Sequence, residues 1–165
     1  MNSNDGPPSQ DQAPSRRARI LVVDDDPSLR ELNARLLSRF GCEVDLAKDG
    51  VEAWCALKED RYDLLITDHQ MPWVTGLELI QKLRSEAMTL PVILVSGAVP
   101  TEELNLLPGL DIQAVMTKSC PLESFLKTVG ELLAATGLAL AVSDPSPDGS
   151  RPPGLMGRSG ECSPG

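Results

Sequence analysis

Residues 63–76 read DLLITDHQMPWVTG, and this stretch decides the fold. Its apolar run is too short for a helix and does not alternate with polar residues, so it reads as a strand buried on both faces. The run ends in a carboxylate, Asp68, followed by His69, Gln70 and a Met71-Pro72 turn that closes at Gly76. A strand buried on both faces belongs in a parallel sheet, whose strands need crossover helices that then cover it on each side.

Working outward, the strand at 63–67 is the third of five short apolar runs; the others lie at 19–23, 43–46, 91–95 and 112–116. Amphipathic stretches alternate with them. Leu29, Leu32, Leu36 and Phe40 recur at helical spacing, preceded by Asp26 as N-cap and Pro27 at the first helical position. Val51, Trp54 and Leu57 mark a second helix, and Leu77, Ile80 and Leu83 a third. Residues 101–107 form the weakest helix, closed by Pro108 and Gly109, and Leu122, Phe125, Leu126, Val129, Leu132 and Leu133 mark the last. The expected fold class is α/β, a five-stranded parallel sheet with helices on both faces.

Bulk properties bound the function. The chain has 165 residues, a net charge of −9 and 41% hydrophobic but only 3% aromatic residues, so one aliphatic core is expected. An acidic surface repels a phosphate backbone, which argues against direct nucleic-acid binding. No apolar run approaches the ~20 residues that span a bilayer, and residues 1–17 hold no apolar stretch of a secretory signal. A cytoplasmic location without membrane insertion is expected. Cys42, Cys55, Cys120 and Cys162 form no CxxC pair and, with His69 as the one histidine, offer no zinc spacing. They read as free thiols, at least three packed as small apolar residues. Residues 1–18 and 138–165 are rich in Pro, Gly, Ser and other polar residues and are expected to be disordered tails around a folded unit at 19–137.

In open parallel sheets functional groups gather outside the carboxyl ends of the strands. Those ends carry Asp24-Asp25-Asp26, Asp68, Ser96-Gly97 and Lys118. Carboxylates brought together repel each other, and a hard divalent cation such as Mg²⁺, bound by one or two carboxylates, waters and a phosphate, relieves that repulsion. One carboxylate can then take a phosphoryl group as an acyl phosphate, with lysine and hydroxyl meeting its charge. Asp26 reads as a helix cap, His69 as a neighbouring surface or modulating side chain, Trp54 as core packing and Trp73 as an exposed loop aromatic.

The stretches ILVVDDDPSLR, DLLITDHQMPWVTGLELI, PVILVSGA and VMTK resemble the receiver domain of two-component response regulators over about residues 19–135. The resemblance implies a (βα)5 flavodoxin-like doubly wound fold and a Mg²⁺ site. It makes Asp68 the phosphoacceptor, Asp24 and Asp25 the acidic pair with Asp25 a direct metal ligand, and Gln70 a ligand through its backbone carbonyl. Ser96 becomes the hydroxyl that shifts to bond the phosphoryl group, and Lys118 the site lysine. It further implies a sensor histidine kinase or phosphotransfer protein as donor. Little chain follows Lys118, so a stand-alone receiver is expected, with output by protein contact or onward phosphotransfer and no separate substrate turnover.

Three positions depart from the family pattern. Ser119 replaces the usual proline after the lysine; a cis bond before serine costs about 2.5–4 kcal/mol, so a trans bond and a rearranged loop are expected. Val115 stands where many receivers carry Tyr or Phe, and Ser96 where threonine is commoner. Two other functions fit parts of the pattern: a receiver-fold interaction module indifferent to phosphorylation, and a phosphatase of the haloacid dehalogenase type, whose nucleophile motif Asp24-x-Asp26-x-Ser28 faintly resembles.

Overall fold

The computed structural model describes residues 16–140. Strands β1 (Arg19–Val23), β2 (Glu43–Ala47), β3 (Leu64–Asp68), β4 (Val92–Ser96) and β5 (Ala114–Thr117) alternate with helices α1 (Pro27–Arg39), α2 (Gly50–Glu59), α3 (Gly76–Ser85), α4 (Thr101–Leu106) and α5 (Leu122–Ala135). All strands are parallel, in the order β2-β1-β3-β4-β5. The α/β fold read from the sequence is the observed one, with strand ends displaced by a residue or two. The chain order reverses beside β1, which leaves the ends of β1 and β3 at the switch point.

Period-two alternation builds two cores from one sheet. Ile20, Val22, Leu64, Ile66 and Ile93 face α1 and α5, where Leu37, Phe125, Val129 and Leu133 meet them. Leu21, Val23, Leu65, Val92 and Leu94 face the other layer, where Ala53, Leu57, Leu77, Ile80 and Leu83 lie. Each such side chain, fully buried, contributes about 1.5–3 kcal/mol. Val115 packs against this second core, opposite Leu94 in the ladder.

Asp26 caps α1, accepting from the N–H groups of Ser28 and Leu29, and Pro27 opens the helix. The apolar stripe of α1 is not the one its leucine spacing suggests. Ala34 and Leu37 are buried, whereas Leu32 is 61% exposed. Leu29, Leu32 and Leu36 flank a groove of about 300 Å³ whose other walls include Leu122 and Phe125 of α5. On α2 the buried positions are Gly50, Ala53 and Leu57, while Val51 is exposed and Trp54 is half-buried beneath the ammonium groups of Lys58 and Lys82.

The packed unit reaches past both expected boundaries. Ala18 is buried, and Arg16 forms a two-pronged ion pair with Asp63. At the other end Leu138 and Leu140 pack on the α1/α5 core. The remainder of both expected tails lies outside the described residues. Among the described residues no helix is long and apolar enough to cross a membrane. Cys42 is buried and Cys55 and Cys120 are partly buried, Cys42 and Cys120 as free thiols; Cys162 lies outside the described residues.

Candidate acceptor site at the carboxyl ends of the strands

The site grows from the ladder itself. β1 continues one hydrogen bond beyond Val23, with Asp24 N–H donating to Ala47 O at 3.2 Å, so Asp24 is delivered buried at the sheet's rim. Two bonds then shape the acid loop. Asp24 Oδ1 accepts from the Asp26 N–H at 2.9 Å, and Arg30 Nη1 donates to the Asp24 carbonyl at 2.6 Å. Asp25 is exposed beside them. Asp26 is spent on the α1 cap and lies outside the acidic cluster, so the Asp24-x-Asp26 pairing of a dehalogenase-type site is not formed.

Asp68 ends β3, buried, and its Oδ1 accepts from the Gln70 N–H at 3.3 Å. Lys118 is anchored by its own N–H to Ser96 O at 2.8 Å, one residue beyond β5. From there Lys118 Nζ reaches Asp68 Oδ2 at 2.9 Å and Asp24 Oδ2 at 3.3 Å. The Lys118–Ser119 bond is trans, and the lysine reaches both carboxylates from it. Carboxylate oxygens of Asp24, Asp25 and Asp68 lie within 4.8 Å of one another. Three hard oxygen donors at that spacing, two of them buried, fit a small divalent cation.

Electrostatics follow from this crowding. Burial pushes the Asp24 carboxyl above its ordinary value, and the Asp68 charge adds to that; the Asp26 N–H and Lys118 oppose it without prevailing. Burial works against the Lys118 ammonium, yet its hydrogen bond to Asp68 and the charges of Asp24 and Asp68 hold it above its usual range. The lysine is therefore a fixed cation in the pocket.

The turn after Asp68 is built to hold it still. Gly76 N–H donates to His69 O, and a Cβ at Gly76 would collide with the Asp68 carbonyl, so only glycine fits. Val74 presses on α2, where a Cβ at Gly50 would sit 2.7 Å from its own Cβ. Between these anchors Val74 N–H bonds Pro72 O and Trp73 adopts φ +71°, a strained γ-turn that leaves the indole 90% exposed, as expected of a loop aromatic.

Ser96 is completely buried, and its Oγ has no hydrogen-bond partner. His69 departs from its expected surface position: its side chain is 7% exposed, with Nε2 3.2 Å from Glu103 Oε2 of α4. The cause is one more rung of ladder, His69 N–H to Val95 O at 2.8 Å, which turns its ring to the face opposite Asp68 and under α4. No residue type in the sequence signals that extra rung, which is why the burial of His69 escapes a reading of the sequence.

Comparison with known proteins agrees with this geometry. The family model of the response regulator receiver domain matches residues 20–130. The response regulator MprA of Mycobacterium bovis is 39% identical over 135 residues, covering 76% of this chain and 58% of that protein. The chain thus spans somewhat over half the length of the curated relatives it matches. Among solved structures, the response regulator TrrA of Thermotoga maritima, in complex with Mg²⁺ and BeF, is 32% identical with a TM-score of 0.63, covering 70% of this chain and 98% of that one. A receiver protein of Pseudomonas putida is 30% identical with a TM-score of 0.66, covering 70% and 98%. The chain belongs to the response regulator receiver domain family of two-component systems.

Proposed function

We propose that Asp68 accepts a phosphoryl group from a phosphohistidine of a sensor kinase or phosphotransfer protein. The observation that carries this reading is the buried Asp68 carboxylate held between a lysine cation at 2.9 Å and two further carboxylates. An Asp68 oxygen attacks phosphorus, the P–N bond to the donor imidazole breaks, and the released nitrogen takes up a proton. Asp24, Asp25, Asp68 and the Gln70 carbonyl would hold Mg²⁺, which when bound supplies positive charge against the crowded carboxylates and the phosphoryl oxygens. Lys118 orients the acceptor and offers its ammonium to a phosphoryl oxygen, and Ser96 offers its hydroxyl to another. Later hydrolysis returns the carboxylate, so the chain acts as a reversible acceptor in the cytoplasm rather than an enzyme with its own substrate. Output then passes through contact with a downstream protein or through onward phosphotransfer.

The test is intact-mass measurement after incubation with acetyl phosphate and Mg²⁺. A gain of one phosphoryl group is expected, absent without Mg²⁺ and absent in Asp68→Asn. An unmodified parent chain that still folds would overturn the reading and leave the phosphorylation-independent interaction module in its place.

A further inference from the structure

Asp25 is held differently from the other two carboxylates of the acidic cluster. Asp24 and Asp68 are buried and hydrogen-bonded, whereas Asp25 is exposed and, among the described residues, no donor holds its carboxylate. Its carboxylate nevertheless lies with the others, within 4.8 Å. The backbone must supply the placement that the side chain's own bonds do not.

Two peptide planes flank Asp25, and both are pinned. The Asp25–Asp26 plane is held by the Asp26 N–H, which donates to Asp24 Oδ1 at 2.9 Å. The Asp24–Asp25 plane is held by the Asp24 carbonyl, which accepts from Arg30 Nη1 at 2.6 Å. Each peptide is planar and trans, so fixing one polar atom restrains the whole unit, and two fixed planes set φ and ψ of the residue between them. Those angles aim the Cβ of Asp25. Arg30 does this from the first turn of α1. Its own N–H closes that turn on Asp26 O at 3.0 Å, and its side chain runs back past the cap to Asp24. The helix dipole opposes a cation on that turn, so helix preference does not account for an arginine there.

We propose that Arg30 is a positioning residue of the metal site: its bond to the Asp24 carbonyl sets the direction of Asp25, and through Asp25 the affinity and size selectivity for a divalent cation. The proposal rests on Mg²⁺ binding at Asp24, Asp25 and Asp68. Arg30 bears on that cation in two opposed ways. Its charge repels a cation at the carboxylates, whereas its grip on the loop preorganises them. A role through charge alone makes removal of Arg30 tighten Mg²⁺ binding; a positioning role makes removal weaken it. Mg²⁺ demands near-ideal octahedral geometry while Ca²⁺ accepts a looser set of oxygens, so a freed Asp25 penalises Mg²⁺ more.

The experiment is calorimetric titration of Mg²⁺ and of Ca²⁺ into the parent, Arg30→Met and Arg30→Lys, with the apo Tm of each measured alongside. Arg30→Met keeps the apolar stem without a donor and is expected to lose about tenfold in Mg²⁺ affinity, with a smaller loss for Ca²⁺. Arg30→Lys keeps the charge and a donor for the carbonyl and is expected to recover most of the loss. A lower apo Tm in Arg30→Met with both affinities unchanged overturns the proposal in favour of a merely structural bond. Mg²⁺ affinity in Arg30→Met above the parent's overturns it in favour of charge alone, and equal losses for the two cations overturn the selectivity. A parent that binds no Mg²⁺ overturns the metal reading beneath the proposal, and the proposal with it. If Arg30→Met fails to fold, Arg30→Gln, whose amide falls short of the guanidinium's reach, takes its place.

Discussion

At the scale of single residues, Asp24 shows how the site trades stability for chemistry. Its carboxyl is buried beside Asp68, and its folded pKa is raised above the ordinary 3.8. A raised carboxyl pKa means the folded state holds that proton more tightly than the unfolded chain. Stability then falls as pH rises from 3.8 through the folded value, and the full penalty is present at neutral pH. Asp24→Asn is therefore expected to be more stable than the parent at pH 7, on the order of 1 kcal/mol, with the gap closing below pH 3.8. Urea unfolding at pH 7 and pH 3 checks both limits, and Mg²⁺ affinity should fall in the same variant. Asp24, Asp25, Asp68, Ser96 and Lys118 were all legible in the sequence because each follows a buried strand, and strand ends meet at one rim. His69 was not, because its burial depends on the ladder running one rung past Asp68, which no residue type announces. The reach of Lys118 across a trans bond was likewise a matter of geometry rather than of residue identity.

At the scale of elements, caps and anchors were easier to read than faces. Asp26 and Pro27 mark the start of α1 correctly, yet the leucine row of α1 lines the groove against α5 while Ala34 and Leu37 face the sheet. Leucine density follows total apolar area, and here two apolar surfaces compete for one helix. A second element-scale feature has no sequence signature. Arg84, near the end of α3, donates to the carbonyls of Met88, Leu90, Leu110 and Asp111, so one guanidinium ties the α3–β4 and α4–β5 connections together. Its acceptors are all backbone, so no acidic partner in the sequence points to it. Arg84→Ala leaves those carbonyls short of donors and is expected to cost roughly 2–4 kcal/mol. Arg84→Lys should recover less than half, since a single ammonium cannot span a planar fork of acceptors. Thermal unfolding of the two variants against the parent measures both numbers.

At the scale of the whole molecule, the two ends of the sheet are opposite in design. At the amino ends, acids are matched by bases: Arg19 bridges Asp45 and Asp60 beneath Tyr62, and Arg16 holds Asp63. At the carboxyl ends, Lys118 is the one cation among the described residues that forms an ion pair with Asp24 and Asp68, and Asp25 adds a third carboxylate to their cluster. An apo fold with that imbalance gains from any cation bound only when the three carboxylates are assembled, because the unfolded chain has no such cluster. Linkage gives the size: at ten times the dissociation constant the folded state gains about 1.4 kcal/mol. For a domain of this length that corresponds to a rise in Tm of roughly 5 °C. Mg²⁺ titration followed by calorimetry should show this rise, growing with the logarithm of concentration once the site is filled. Addition of beryllofluoride should extend it, because the anion binds the filled site and meets Lys118. Asp25→Asn should lose most of the Mg²⁺ effect with little change in the apo Tm, since Asp25 is exposed and caps nothing. A Tm indifferent to Mg²⁺ in the parent would mean that the acidic rim holds no cation, and the acceptor chemistry argued from it would fall with it.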